Sequence, residues 1–237
     1  MTKKLAIDQK FILSLCKRTL LTTKERILAA ALKMFNQEGY GAVNLFELAK
    51  SIGMSRGNMT YHFRDKEAIL QALAEELWQK MEAVNPPQQI PSFKNLHHNS
   101  QQYYQFQREY SFIFQDQQVL KHPSIAPRMK EFAEKTIRNI EVAIAFSIEV
   151  GNMKQEAVAG TYKHLALTSW IIMFFWANQQ KVRGERTRED GEKIIWSLLL
   201  PHLTEKGLAA FQKYFGESYL KEIGLPFDVT LDNILSF

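Results

Sequence analysis

From residue 22 onward, apolar positions recur every three or four residues, the period of a helix buried on one side. In "TTKERILAAALKMFNQEGY" the stripe is Ile27, Leu28, Ala31, Met34 and Phe35. Thr22 with Glu25 three residues on has the form of a capping box, and Gly39 marks the C-terminal end. "NLFELAKSIG" repeats the design, with Asn44 and Glu47 at its start, Leu45, Leu48, Ala49 and Ile52 as its stripe, and Gly53 as its stop. Ser55 caps a short third helix. Asp65 caps a fourth, lined on one side by Ile69, Leu70, Leu73, Leu77, Met81 and Val84.

The helical period continues to the C-terminal third, and no strand-rich block or internal repeat interrupts it. "NPPQQIPSFKN" (85–95) holds three of the seven prolines and is the best domain boundary. "YYQFQREYSFIF" (103–114) also fits strand alternation, but a lone strand among helices has no partner, so a helix is predicted. Further helices are predicted from Pro123 to Gly151, over 157–182, over "DGEKIIWSLLL" up to Pro201, from Thr204 to Phe215, and over 217–223. The expectation is an all-α chain of about nine helices. It divides into a basic arm (1–21), a three-helix head with a connecting fourth helix (22–84), and a larger helical bundle (85–237).

Composition narrows the class. The chain has 237 residues, 46% hydrophobic and 23% charged, as in an ordinary globular protein. Cys16 is the only cysteine, which excludes a disulfide framework and a cysteine-based zinc site. The most apolar run, "LALTSWIIMFFWA" (165–177), is shorter than the ~20 residues a span needs. The N-terminal stretch, broken by Asp8, Gln9, Lys10 and Lys17, reads as no signal peptide, and a cytoplasmic location is expected. The net charge is +5, and residues 1–81 carry all of it, with 13 basic against 8 acidic side chains. A basic first third, arm included, joined to a neutral remainder suits binding of a polyanion. No HExxH, phosphate loop, nucleophile elbow or CxxC is present, and scattered His and Glu form no constellation, so no enzyme and no cofactor are expected. The adjacent His97 and His98 point to different helix faces and make a poor metal site.

The chemistry concentrates in "SIGMSRGNMTYHFRDKEAIL" (51–70). With Met59 at the centre of the buried face and 100° per residue, Phe63 joins it inside. Gly57 and Tyr61 then fall about 160° away, on the outer face, flanked by Asn58 and Thr60. A glycine there lets another surface approach the backbone. Arg56 and Asn58 can reach base edges, while Ser55, Tyr61, His62 and Lys66 can hold phosphates. The helix–glycine–helix break before it makes a helix-turn-helix.

Residues 22–70, with "ERILAAAL", "MFNQEGY", "LAKSIGMSRG" and "YHFRDKEAI", resemble the N-terminal domain of the TetR family of transcriptional regulators. The resemblance implies DNA contacts at Asn44, Ser55, Arg56, Gly57, Asn58, Tyr61, His62 and Lys66. Thr60 stands where the family often has an aromatic residue, and Asn44 where it often has threonine. The resemblance also implies a helical C-terminal domain, a homodimer on a palindromic double-stranded DNA operator, and a small-molecule effector that lowers DNA affinity. An effector pocket is expected between 103–114 and 164–176, from Tyr103, Phe106, Tyr110, Phe114, His164, Thr168 and Trp170. The same aromatics also suit plain core packing, with Asp116 and Arg108 as further polar candidates. The expected function is a repressor. The alternatives are an activator, or a DNA-binding or architectural factor that needs no ligand.

Overall fold

The structure is a computed structural model that describes residues 21–84, 90–184 and 191–224. The arm up to residue 20 with Cys16, Pro86 and Pro87, the 185–190 loop and the tail from 225 lie outside the described residues.

The head forms as its caps dictate. Helix α1 (Thr23–Glu38) starts on Thr22, whose hydroxyl accepts from the Glu25 amide at 3.3 Å while the Glu25 carboxylate accepts from the Thr22 amide at 2.7 Å. The Thr22 amide and, at 2.9 Å, the Thr22 hydroxyl both donate to the Glu25 carboxylate and hold it below its ordinary pKa, the backbone bond contributing most. Helix α2 (Leu45–Ser51) is capped by Asn44, which accepts from the Glu47 amide at 2.9 Å. The chain then turns at Gly53, where φ is +69°, and the Met54 amide reaches back to the Ala49 carbonyl at 2.9 Å. Ser55 caps α3 (Arg56–His62), and Asp65 accepts from the Ala68 amide at 2.8 Å at the start of α4 (Lys66–Val84). Ile27, Ala31, Phe35, Leu48, Met59 and Leu70 are all essentially inaccessible and close the head around a single apolar centre.

The body follows with α5 (Phe93–Glu109), α6 (Ser111–Gln115), α7 (Gln117–Leu120), α8 (Ala126–Glu149), α9 (Thr161–Arg183), α10 (Gly191–Leu199), α11 (Glu205–Phe215) and α12 (Glu217–Lys221). Among the described residues there are twelve α-helices and no β-strand, so the chain is all-α with more pieces than the nine expected. The excess comes from short segments. "YYQFQREYSFIF" is not one helix, because the backbone breaks at Tyr110. After the break, Phe112, Ile113 and Phe114 on the short α6 are all buried.

Other boundaries move by a few residues. Helix α8 begins at Ala126, with Pro127 in its first turn, rather than at Pro123. Helix α9 begins at Thr161, because Gly160 has a left-handed φ of +92° and cannot continue a helix backward. Pro201 ends α10 through a 3-10 turn, Leu200–His202.

Two apolar clusters result. One runs from the head through α4 into α5, α6 and α9 without interruption. The second joins α8–α11 around Trp196, Leu203 and Phe211, with Phe93 and Phe215 stacked edge-on against the tryptophan. Helix α11 closes this end: the Thr204 amide donates to the Asn152 carbonyl at 3.0 Å and Lys206 to the Val150 carbonyl at 2.7 Å. Among the described residues no helix is long and apolar enough to cross a membrane.

Candidate nucleic-acid interface and ligand cavity

Helix α3 has the two faces its sequence predicts. Met59 is fully buried and Phe63 nearly so, whereas Tyr61 is 85% exposed. A side chain built at Gly57 would meet nothing within 4 Å, so that surface is open to whatever approaches. Ser55, Arg56, Asn58 and Thr60 are exposed around it, and His62 is half-buried with its ring edge-on to Tyr61 at 5.2 Å.

Local bonds narrow what each side chain can offer. Thr60 donates its hydroxyl to the Gly57 carbonyl at 3.0 Å, leaving a methyl group and oxygen lone pairs outward. Ser55 accepts from the Asn58 amide and keeps its O–H free to donate. Asn44 spends its oxygen on the Glu47 cap and keeps its NH₂. Arg64 lies off this face, paired with Asp65 at 2.8 Å.

Lys66 is placed differently from the phosphate donor expected of it. Its ammonium turns under the α1–α2 loop, donating to the Tyr40 carbonyl at 2.8 Å and the Val43 carbonyl at 2.9 Å. It also sits 4.4 Å from the centre of the Tyr40 ring. Burial there holds its pKa below the ordinary lysine value. Val43 is the residue before Asn44, so Lys66 fixes the loop that presents Asn44. Sequence spacing places Lys66 at the start of α4 but carries no sign of which carbonyls it would find.

The body holds a cavity of about 400 Å³, within the range of small-molecule sites. It lies between α5 and α8 and is floored by Met173, Trp196 and Leu199. Of the seven residues expected to line a pocket, Tyr103 does so. Phe106, Tyr110 and Phe114 sit in the continuous core beyond it. Tyr110 gives its hydroxyl oxygen to Lys80 at 2.7 Å, and burial raises its pKa. Trp170 stacks on Phe174 at 5.4 Å. His164 and Thr168 are exposed, because α9 turns Leu165, Ala166, Ser169 and Met173 inward and the intervening positions outward. Leu167, Ile171 and Phe175 share that outer face and are each about 40% exposed.

The wall missed from sequence is α8. Thr136, Ile140, Ala143 and Ser147 line it at spacings of four, three and four, one face of the helix. Beneath the floor, the buried Glu192 carboxylate accepts from Trp196 Nε1 at 2.9 Å and Gln101 at 2.6 Å, and His97 Nδ1 lies 2.6 Å from it.

A capped, glycine-faced helix on a small three-helix head, joined to a helical body with an internal cavity, defines a helix-turn-helix protein with a ligand-sized chamber. The family model of bacterial regulatory proteins of the tetR family matches residues 27–73, and that of a TetR bacterial transcriptional repressor matches 72–211. The chain belongs to the TetR family. Over 65 residues it is 42% identical to the HTH-type transcriptional repressor Rv1474c of Mycobacterium tuberculosis, a match covering 27% of this chain and 35% of that protein. Over 61 residues it is 36% identical to the regulator AcrR of Shigella flexneri, covering 26% of each chain. The matched stretch therefore spans about a third or less of these relatives. A TetR-family regulator from Marinobacter aquaeolei VT8 superposes with a TM-score of 0.69 at 21% identity, over 82% of this chain and 99% of that one. SmeT in complex with triclosan superposes with a TM-score of 0.56 at 16% identity, over 77% and 92%. At these identities the likeness is one of fold.

Proposed function

We propose that the protein is a homodimeric, sequence-specific DNA-binding repressor that leaves its operator when a small molecule fills the body cavity. The observation that carries the DNA-binding part is the open surface at Gly57. A bare backbone patch ringed by Arg56, Asn58, Thr60 and Tyr61 suits a helix seated in a major groove. Arg56 and Asn58 read bases, while Ser55, Tyr61, His62 and the free amide of Asn44 hold phosphates.

Dimerisation fits the outer face of α9, where Leu167, Ile171 and Phe175 form a partly exposed apolar row. Release is read from connectivity. Helix α5 carries the cavity wall at Phe93, Leu96 and Tyr103, and its far end bonds to both α1 and α4. Helix α8 carries the other wall, and its Arg128 grips α4 through Glu75 at 2.7 Å and Glu82 at 2.8 Å. A ligand that favours one spacing of α5 and α8 thereby favours one setting of α4 and of the head it holds. The cavity also weighs against a DNA-binding factor that needs no ligand, for which a closed apolar body would serve.

The test is selection of bound sequences from a random DNA pool by the purified protein, with sedimentation of the resulting complex. An inverted repeat bound by two chains supports the reading. Binding indifferent to sequence, or by one chain per site, overturns it.

A further inference from the structure

The cavity is elongated and its two ends differ. Along α8 its lining runs from Lys135 to Ser147, about 18 Å of helix. One end lies at Tyr103, whose ring packs on Phe132 at 5.7 Å, one turn before Thr136. The other end lies where Met153 pairs with Leu203.

At the first end Lys135, Thr136 and Asn139 share one turn of α8. Lys135 and Asn139 are exposed at the rim, and the Thr136 side chain is buried beside it. At the second end the wall is Phe93, Ile144, Met153, Trp196 and Leu203. Several polar groups near that end are engaged locally. Ser147 donates to the Ala143 carbonyl at 2.8 Å, Ser92 caps α5, and Asn95 donates to the Ile90 carbonyl at 2.7 Å.

Charge decides between ligand classes. Among the described lining residues there is no carboxylate, and Lys135 is the one charged side chain. The nearby Glu192 is shut beneath Trp196, with its oxygens on Trp196, Gln101 and His97. A cationic ligand would enter without a counter-charge, which is costly in an apolar chamber. An anionic head can stay at the wet rim beside Lys135 while an apolar chain fills the rest.

We propose that the cavity takes a medium-chain carboxylic acid, with its carboxylate at Lys135, Thr136 and Asn139 and its hydrocarbon chain directed toward Met153 and Leu203. This rests on reading the cavity as the effector site, but binding can be measured without DNA. Trp196 in the floor supplies a fluorescence signal.

The experiment titrates the full chain with hexanoate, octanoate, decanoate, decanol and decyltrimethylammonium. Acid affinity is expected to rise about fourfold per methylene. Decanoate should bind more tightly than decanol, and the ammonium more weakly than either. Lys135→Glu, on an exposed turn, should weaken decanoate about tenfold and change decanol by less than about twofold. An ammonium that binds as well as decanoate, or a Lys135→Glu variant with the decanoate-to-decanol ratio unchanged, overturns the proposal. Operator titrations then separate the two claims. Decanoate that binds without weakening operator affinity leaves the site's chemistry standing and sinks the effector reading. A cation that releases DNA while decanoate fails to bind does the reverse.

Discussion

Asn36, near the end of α1, donates its side-chain amide to the carbonyl of Glu109 at 2.7 Å, across 73 residues of sequence. Its oxygen accepts from the Phe112 amide and the Ser111 hydroxyl, each at 3.0 Å. One half-buried side chain thus satisfies two backbone groups beside the break at Tyr110, the Glu109 carbonyl and the Phe112 amide, and the Ser111 hydroxyl as well. Lys80 on α4 reaches the same corner, bonded to the Glu109 carboxylate at 2.6 Å and the Tyr110 hydroxyl at 2.7 Å. Burial opposes the charge on Lys80, but these bonds outweigh it and its pKa lies above the ordinary lysine value.

Asn36→Ala should therefore cost about 1–3 kcal/mol in urea unfolding, since it strands a carbonyl and an amide. It should also loosen the tie between cavity and head. Ligand binding measured by fluorescence should persist while ligand-driven release from DNA weakens. A variant of unchanged stability and unchanged release would show that this corner carries no coupling.

Much of this was legible in the sequence, and the reason is local chemistry. Thr22, Asn44, Ser55 and Asp65 each announce a helix start by a bond to an amide two or three residues on, and all four form. The inward Met59 and outward Gly57 follow from helical period alone. The break at Tyr110 and the cavity wall on α8 were not read. Both depend on partners far away in sequence: Asn36 for the first, and the packing of α5 against α8 for the second. The inward turn of Lys66 is of the same kind, set by carbonyls of residues 40 and 43.

Gly207 offers a stability test. A β-carbon there would lie 1.9 Å from the Asn152 carbonyl oxygen, so α11 packs directly on backbone. Gly207→Ala should lower stability by about 1–3 kcal/mol in spite of the better helix propensity of alanine. Thermal unfolding at or above the wild-type midpoint would contradict the packing described for α11.

Acid should weaken the head through its caps. The Asp65 carboxyl is held below its ordinary pKa, first by the Ala68 amide and then by the Arg64 guanidinium. Glu25 is lowered by Thr22. A depressed folded-state pKa gives stability that is present above the unfolded value and lost as pH falls through the folded one. The loss should thus begin near pH 4 and deepen below it. Asp65→Asn and Thr22→Ala should each flatten the acid limb of the stability curve. A limb of unchanged steepness in both would show that these caps are not responsible.

Lys66 and Arg56 should separate by salt and sequence. The ammonium of Lys66 serves protein carbonyls, so Lys66→Met should lower stability and weaken all DNA alike, with the slope of log affinity against log salt unchanged. A phosphate-bound lysine would lower that slope by about 1 per chain. Arg56→Ala should instead relax the preference at one base position, by about 1–3 kcal/mol of discrimination.

The central claim is that the glycine face of α3 enters the DNA groove. Gly57→Leu tests it most directly, because the added side chain meets open space in the free protein and should leave the fold and its unfolding midpoint unchanged. Titration of this variant against the selected operator and a scrambled duplex should show specific binding lost, with the weak sequence-independent binding largely retained. Wild-type affinity of Gly57→Leu for the operator would contradict the claim.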